Sequence, residues 1–128
     1  DWLGALDHDR LLELYRGADM FVMPCRIARD GDRDGIPNVL MEAMSQGTPA
    51  ISTGISAIPE LIEDGQSGVL VPPDDTVALG RAITLLARDP ARRRQLGSTG
   101  AARVASAFAM RAGIDQLAIR FALRACRD

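Results

Sequence analysis

Residues 34–53, DGIPNVLMEAMSQGTPAIST, predict a helix that is followed directly by a short strand. Pro37 suits the first turn of that helix, and Gly47 suits its end. Between them, apolar side chains recur at a spacing that gives a helix one buried face: Val39, Leu40, Ala43 and Met44. The stretch that follows, AIST at 50–53, is predicted to be a second short strand.

The same alternation of helix and strand continues on both sides of this stretch. Upstream, residues 8–17 have helical periodicity, and MFVM at 20–23 predicts a strand. Downstream, a short helix near 58–63 precedes a third strand, GVLV at 68–71. This order predicts an α/β fold, a Rossmann-like parallel sheet with flanking helices on both of its faces.

The remainder of the chain predicts three further helices. Asp75 is the expected N-cap of the first, Asp89-Pro90 opens the second, and residues 109–125 form the third. In the second of these helices, Gly97 and Gly100 are each expected to weaken the helix by about 1 kcal/mol relative to alanine. The same helix carries Arg92, Arg93 and Arg94, which we predict to form an exposed face.

The composition excludes several classes of function. The 128 residues include 17 acidic and 15 basic side chains, a net charge of −2, which argues against a nucleic-acid-binding protein. Every base is arginine, so neither Schiff-base chemistry nor a P-loop lysine is available. Two distant cysteines and one histidine form no common zinc pattern and no disulfide framework, so we expect no metal site and a cytoplasmic location. No apolar run is long enough to span a membrane.

Residues 34–42, DGIPNVLME, form the stretch that could carry chemistry. They enter a helix straight after a strand and a loop, at the sheet edge where ligands of such folds bind. The first amides of a helix suit a phosphate or diphosphate. Glu42, on a polar stripe with Asn38, Ser45 and Gln46, could accept hydrogen bonds from a ribose diol. Asp34 lies on the far side of the phosphate position, where a sugar would lie. Dipole compensation and an ordinary solvated helix face explain the same residues, and both interpretations remain open at this point.

Several spaced motifs identify a family resemblance. EAMSQGTPAIST at 42–53, AIPELI at 57–62 and GVLVPPDD at 68–75 follow one another, and the segment from Gly4 to Pro24 matches upstream. Together they resemble the C-terminal donor-binding domain of retaining glycosyltransferases of the GT-B fold, the glycosyl transferases group 1 family. GDRDGIP at 31–37 most resembles the branch that builds bacterial exopolysaccharide and capsule.

The resemblance implies a role for each residue of the motif. Asp34 would be the catalytic-site acid that contacts the donor sugar, and Glu42 would hold the nucleotide ribose. The backbone that approaches the diphosphate would be formed by the residues between them: Gly35, Ile36, Asn38 and Val39. The donor would be a nucleotide-diphospho sugar, transferred with retention of configuration and without a bound metal or other cofactor. The chain departs from the family where Asp34 replaces a glutamate, where Pro37 lacks an N–H, and where Ser56-Ala57 replaces two glycines.

The resemblance also implies how the chain is organised. Residues 1–128 would be a single partial domain, the nucleotide-sugar-binding lobe, without the N-terminal acceptor domain and inactive by itself. The last helix, 109–125, would offer an apolar stripe of Ile114, Leu117 and Phe121 to that missing domain or to self-association. Peripheral contact with the inner face of a membrane remains open for the full enzyme. The alternatives are a non-catalytic nucleotide-binding or interaction module of the same fold, and an inert α/β domain.

Overall fold

A computed structural model describes residues 1–27 and 35–108 of the chain. Along the described residues the elements are α1 (His8–Gly17), β1 (Phe21–Met23), α2 (Asn38–Ser45), β2 (Ala50–Thr53), α3 (Ile58–Leu61), β3 (Val69–Val71), α4 (Thr76–Arg88) and α5 (Pro90–Ala107). Asp34 and the predicted last helix at 109–125 lie outside the described residues.

The three strands form one parallel sheet in the order β1-β2-β3. In the centre of the sheet, Ile51 pairs with Val22 on one side and with Val69 on the other. Because the strands are parallel, all of their carboxyl ends meet at one edge. The predicted α/β class with a parallel sheet is confirmed.

Helices cover both faces of the sheet. Successive side chains of β2 point to opposite faces, so Ala50 joins one core cluster and Ile51 the other. The first cluster holds residues of α2, α3 and the end of α5, including Leu40, Met44, Leu61 and Val104. The second holds Leu86 of α4 and Leu96 of α5. All four residues of β2 are buried, as a central strand of such a sheet requires.

Local capping sets several helix boundaries. Asp75 and Asp89 are the N-caps of α4 and α5, and each carboxylate accepts a hydrogen bond from a backbone N–H three residues later, at 2.8 Å. Both predicted caps are confirmed. Asp7 caps α1 in the same way. Pro37 was predicted in the first turn of α2 but lies one residue earlier, at the N-cap, with a φ of −63°.

Gly97 and Gly100 of α5 allow close packing rather than merely weakening a helix. A Cβ on Gly97 would lie 2.0 Å from the Gly47 carbonyl oxygen, and one on Gly100 would lie 2.8 Å from that of Ser67. No side chain fits at such distances, so the two glycines let α5 approach the rest of the fold.

The expectation that Arg92, Arg93 and Arg94 form an exposed face is wrong for the first two. Arg93 donates to the carbonyls of Leu86 and Ala87 at 2.9 and 2.7 Å and pairs with Asp19 at 3.1 Å. The guanidinium of Arg92 donates to the carbonyl of Gly65. Arg94 is exposed as predicted. Their long aliphatic stems let Arg92 and Arg93 reach backbone carbonyls that sequence spacing cannot reveal.

Within the described part of the chain, no helix is both long and apolar enough to span a bilayer.

Candidate functional site

The carboxyl ends of the three strands open onto two neighbouring cavities. The larger, here called the edge cavity, has a volume of about 160 Å³, and the smaller, the helix-start cavity, about 30 Å³. The edge cavity is lined by Pro24, Cys25, Arg26, Thr53, Val71, Pro72, Asp74, Asp75, Thr76 and Leu79. The helix-start cavity is lined by Cys25, Arg26, Gly35, Pro37, Ile55, Ser56 and Ile58. Cys25 and Arg26 belong to both linings, so the two cavities adjoin.

Two buried hydroxyls hold the backbone that leaves β1 toward these cavities. Ser52 donates its Oγ–H to the Met23 carbonyl at 2.8 Å, and Thr53 donates its Oγ1–H to the Cys25 carbonyl at 2.6 Å. Both side chains are at most 2% exposed. These two roles were not predicted from the sequence, although two hydroxyl residues at the end of a short strand were a signal, since buried hydroxyls need hydrogen-bond partners.

The start of α2 presents amides with no partner inside the helix. The Pro37 carbonyl accepts from the N–H groups of Leu40 and Met41, at 3.1 and 3.4 Å. The N–H groups of Asn38 and Val39, the first two helical residues, come before any carbonyl that could accept from them within the helix. Pro37 and Gly35 line the helix-start cavity, so this cavity lies at the amide-rich end of α2.

Glu42 lies on the side of α2 that faces α1. It is half-buried, and its carboxylate accepts no hydrogen bond from residues 1–27 or 35–108. Burial, and after it the nearby Glu42 carboxylate, raise the pKa of Tyr15 above its ordinary value of 10.0. The charge of Glu42 is therefore close enough to act on the Tyr15 phenol, and no cation of residues 1–27 or 35–108 forms an ion pair with it.

The predicted polar stripe on α2 divides into two parts. Near the end of the helix, Gln46 accepts a hydrogen bond from the Arg16 Nε–H at 2.8 Å and donates to Ser45, which in turn donates to the Glu42 carbonyl. These contacts fasten α2 to α1. Of the four side chains in this stripe, those of Asn38 and Glu42 have no hydrogen bond with residues 1–27 or 35–108 and remain available to a ligand.

Two non-glycine residues have a left-handed backbone among the described residues. Ser56 has a φ of 50° and Asp74 a φ of 59°. Each lines one cavity, Ser56 the smaller and Asp74 the larger. A strained backbone that persists beside a cavity is a feature of ligand sites. Ser56 also stands where the family pattern has glycine, and its φ gives the physical reason for that preference.

The structure brings together most of the predicted site residues. Gly35, Ile36, Asn38, Val39 and Glu42 follow one another from the helix-start cavity into α2. Asp34, outside the described residues, remains an expectation. His8 lies exposed at the first position of α1, as a surface residue. Across residues 1–27 and 35–108, no cluster of three or more histidine, cysteine, aspartate or glutamate side chains could hold a metal ion.

Solved structures share this fold. A sucrose-phosphate synthase from Thermosynechococcus elongatus matches 94% of this chain with a TM-score of 0.79 and 31% identity, over 30% of its own length. The C-terminal domain of a glycosyl transferase group 1 family protein from Francisella tularensis matches 84% of this chain and 53% of that domain, with a TM-score of 0.68 and 24% identity. The fold is therefore that of GT-B glycosyltransferases.

Sequence comparison narrows this class to a family. The profile of the family "Glycosyl transferases group 1" matches residues 1–89, so the chain belongs to the glycosyl transferases group 1 family. It is 49% identical over 71 residues to the colanic acid biosynthesis glycosyltransferase WcaL of Salmonella typhimurium. It is 41% identical over 101 residues to the amylovoran biosynthesis glycosyltransferase AmsK of Erwinia amylovora. These matches cover 56% and 79% of this chain, and 18% and 25% of the two relatives.

Proposed function

We propose that this chain is the donor-binding part of a retaining glycosyltransferase, which transfers a sugar from a nucleotide-diphospho sugar to an acceptor in polysaccharide or glycoconjugate biosynthesis. The observation that carries the proposal is the Glu42 carboxylate, half-buried and without a hydrogen-bond donor among the described residues, on the helix whose N-cap, Pro37, lines a cavity. The two relatives named for colanic acid and amylovoran biosynthesis support the polysaccharide setting.

The spacing of the groups suits the parts of a nucleotide sugar. Glu42 lies four residues after Asn38, about 6 Å further along the helix axis. It is close to Tyr15 of α1, and Ser56 and Ile58 line the helix-start cavity together with Pro37. A ribose bound to Glu42 and a diphosphate at the first amides of α2 follow in that order, and the donor sugar continues past the helix start, outside the helix-start cavity, whose volume of about 30 Å³ is too small for a sugar ring.

The chemistry proposed for these groups is electrostatic. The amides of Asn38 and Val39 and the positive end of the α2 dipole offset the charge that develops on the leaving diphosphate. Pro37 donates nothing to it, so the cradle has one amide fewer than a helix start without proline. Asp34 is expected to orient the donor sugar. Since the chain covers 18% and 25% of the two relatives, we expect the 128 residues by themselves to bind the donor and not to transfer it.

Calorimetric titration of the chain with UDP, GDP, ADP and dTDP, each with and without a sugar, tests the proposal. We expect weak binding of at least one of them, and a loss of about tenfold or more in affinity in Glu42→Gln, because hydrogen bonds to a charged group are worth about 1.5–3 kcal/mol. Glu13→Gln is the matched control, since Glu13 is an exposed glutamate on α1. Folded chain that binds none of these nucleotides contradicts the proposal, and an unchanged affinity in Glu42→Gln places the ribose elsewhere.

A further inference from the structure

The edge cavity has no role in the proposed binding of the nucleotide, yet it adjoins the helix-start cavity at the N-terminal end of α2. We propose that this cavity is a subsite for a single carbohydrate ring. The inference rests on the proposed function and adds a second region of contact to it. The β3–α4 connection, which supplies Pro72, Asp74 and Asp75 to the lining, thereby acquires a part in recognition.

The lining combines an apolar wall with a polar rim. The wall consists of Pro24, Val71, Pro72 and Leu79, and the rim of Arg26, Asp74, Asp75 and Thr76. A sugar ring has the matching character, because its C–H face is apolar and its hydroxyls lie around the periphery. Carboxylates accept hydrogen bonds from such hydroxyls, and a guanidinium donates to them.

The charges and the size of the cavity argue against other ligands. Among the described residues of the lining, two carboxylates outnumber the one guanidinium, which disfavours a phosphate or another anion. A metal ion lacks ligands, since no cluster of three or more suitable side chains occurs in the described residues. A volume of about 160 Å³ is below the roughly 300 Å³ at which pockets for larger ligands begin, so a single ring fits and a whole nucleotide does not.

The polar groups of the rim are available. Neither the Asp74 carboxylate nor the Arg26 guanidinium has a hydrogen bond or an ion pair with residues 1–27 or 35–108, and both side chains are exposed. Asp75 uses one carboxylate oxygen to cap α4 at the Ala78 N–H, which leaves the other oxygen for a ligand. Asp74 has a left-handed φ of 59° at the rim, and Ser56 in the neighbouring cavity also has a left-handed backbone.

The wall that the two cavities share, formed by Cys25 and Arg26, determines which part of the site would lie next to a bound ring. It sets the edge cavity directly beside the helix-start cavity, at the end of α2 where the proposed function places the diphosphate. A ring in the edge cavity would therefore lie close to the diphosphate of the donor. It belongs either to the acceptor or to the donor itself, and the experiment below separates these two sources.

The experiment follows backbone amide chemical shifts of the ¹⁵N-labelled chain during titration with the methyl α-glycosides of glucose, galactose, mannose and glucuronic acid. At least one glycoside should shift the amides of Arg26, Asp74 and Thr76 along one saturation curve. Asp74→Gly keeps the left-handed backbone without a side chain and should raise the dissociation constant about tenfold, as expected for a lost hydrogen bond to a charged group. Asp74→Asn should weaken binding less. Asp9→Asn, at an exposed position of α1, is the charge-matched control and should bind as the parent chain does.

Saturating UDP distinguishes the two sources of the ring. If the glycoside and UDP bind together, and a UDP-sugar also leaves the glycoside in place, the subsite serves the acceptor. If a UDP-sugar displaces the glycoside and UDP alone does not, the ring is the donor's own. The subsite is refuted if no glycoside shifts these amides, if a nucleoside shifts them instead, or if Asp74→Gly binds as the parent chain does. Binding of a glycoside to a chain that binds no nucleotide would refute the proposed function and leave the subsite standing.

Discussion

Gly97 on α5 lies against the carbonyl of Gly47, so closely that a Cβ on Gly97 would stand 2.0 Å from that oxygen and 3.0 Å from its carbon. Gly47 itself has a φ of 80°, a backbone conformation that favours glycine. The contact joins the longest described helix to the turn between α2 and β2. Two glycines that are 50 residues apart thus allow one close approach of backbone to backbone.

Gly97→Ala should therefore destabilise the fold by about 3 kcal/mol or more, because the methyl group meets backbone atoms that cannot move aside. The free energy of unfolding from urea denaturation measures the effect. Gly80→Ala is the matched control in α4, where no atom lies within 4 Å of the added Cβ. That control should stabilise the fold by about 1 kcal/mol, since alanine is the better helix former. If Gly97→Ala stabilises the fold as well, the close approach of α5 is wrong.

Arg93 and Arg94 are adjacent in sequence and should differ in their effect on stability. Arg93→Ala removes hydrogen bonds to two backbone carbonyls and an ion pair with Asp19, and should cost about 1–3 kcal/mol. Arg94→Ala should change the free energy of unfolding by no more than about 0.5 kcal/mol, because Arg94 is exposed. Equal losses in the two variants would show that the arginine run acts only through its charge.

These contacts show which parts of the fold could be predicted from the sequence. The caps at Asp75 and Asp89, and the bounds of β2 at Ala50–Thr53, depend on neighbours within a few residues, and the sequence analysis predicted them. The contact of Gly97 with Gly47 and the reach of Arg93 to Asp19 join residues 50 and 74 positions apart. No periodicity or capping pattern encodes such a distance, so the glycine was interpreted as a weak helix former and the arginine as an exposed side chain.

The candidate site divides in the same way. Glu42 and the first amides of α2 were predicted because one short motif contains them. The edge cavity was not predicted, because it combines residues from three separate strand ends. Asp74, which lines it, was not predicted as a site residue either. Its neighbour Asp75 was correctly assigned as a cap. The local property that distinguishes Asp74 is its left-handed φ. Aspartate adopts this conformation more readily than most residues, so the sequence around it contains no glycine that would have indicated the turn.

Ser56→Gly should raise the free energy of unfolding by about 1 kcal/mol, since Ser56 has a φ of 50° and glycine adopts that conformation without a steric penalty. Ser56→Val should lower it, because a β-branched side chain is poorly tolerated there. Urea denaturation of the two variants provides the comparison. The left-handed conformation of Ser56 is contradicted if valine is accepted as readily as glycine.

Thr53→Val should cost about 1–2 kcal/mol, because it leaves the Cys25 carbonyl without the hydroxyl that donates to it at 2.6 Å. The control is Thr84→Val, whose hydroxyl donates to the Gly80 carbonyl on an exposed helix face. Amide shifts of Arg26 should move in Thr53→Val and not in Thr84→Val, since the lost bond holds the segment after β1. An undisturbed Arg26 amide in Thr53→Val would show that the segment is held by other contacts.

Tyr15 should make the fold less stable in alkaline solution. Because burial and Glu42 raise its pKa above 10.0, the unfolded chain loses the phenol proton near pH 10 while the folded chain retains it. The stability linked to Tyr15 is therefore complete below pH 10 and is lost as the pH rises through the folded-state pKa. Glu42→Gln removes the smaller of the two causes and should lower that pKa toward 10.0.

Tyrosinate absorbance measures this titration directly, because the sequence contains a single tyrosine. The chain unfolded in urea supplies the reference titration. A midpoint that is the same in the folded and unfolded chain would show that the fold does not shield Tyr15. A midpoint unaffected by Glu42→Gln would show that the Glu42 carboxylate does not act on the Tyr15 phenol.

Because the three strands are parallel, the contacts that stabilise the fold and the residues that line the cavities lie at opposite edges of the sheet. The contacts of Gly97 with Gly47 and of Arg93 with Asp19 lie where the chain enters β1 and β2, whereas Arg26, Asp74 and Ser56 lie where it leaves the sheet. Substitutions at the exit edge can thus alter what the two cavities bind without loosening the contacts at the entry edge. Related chains can therefore diverge in ligand preference while their thermal resistance stays nearly constant.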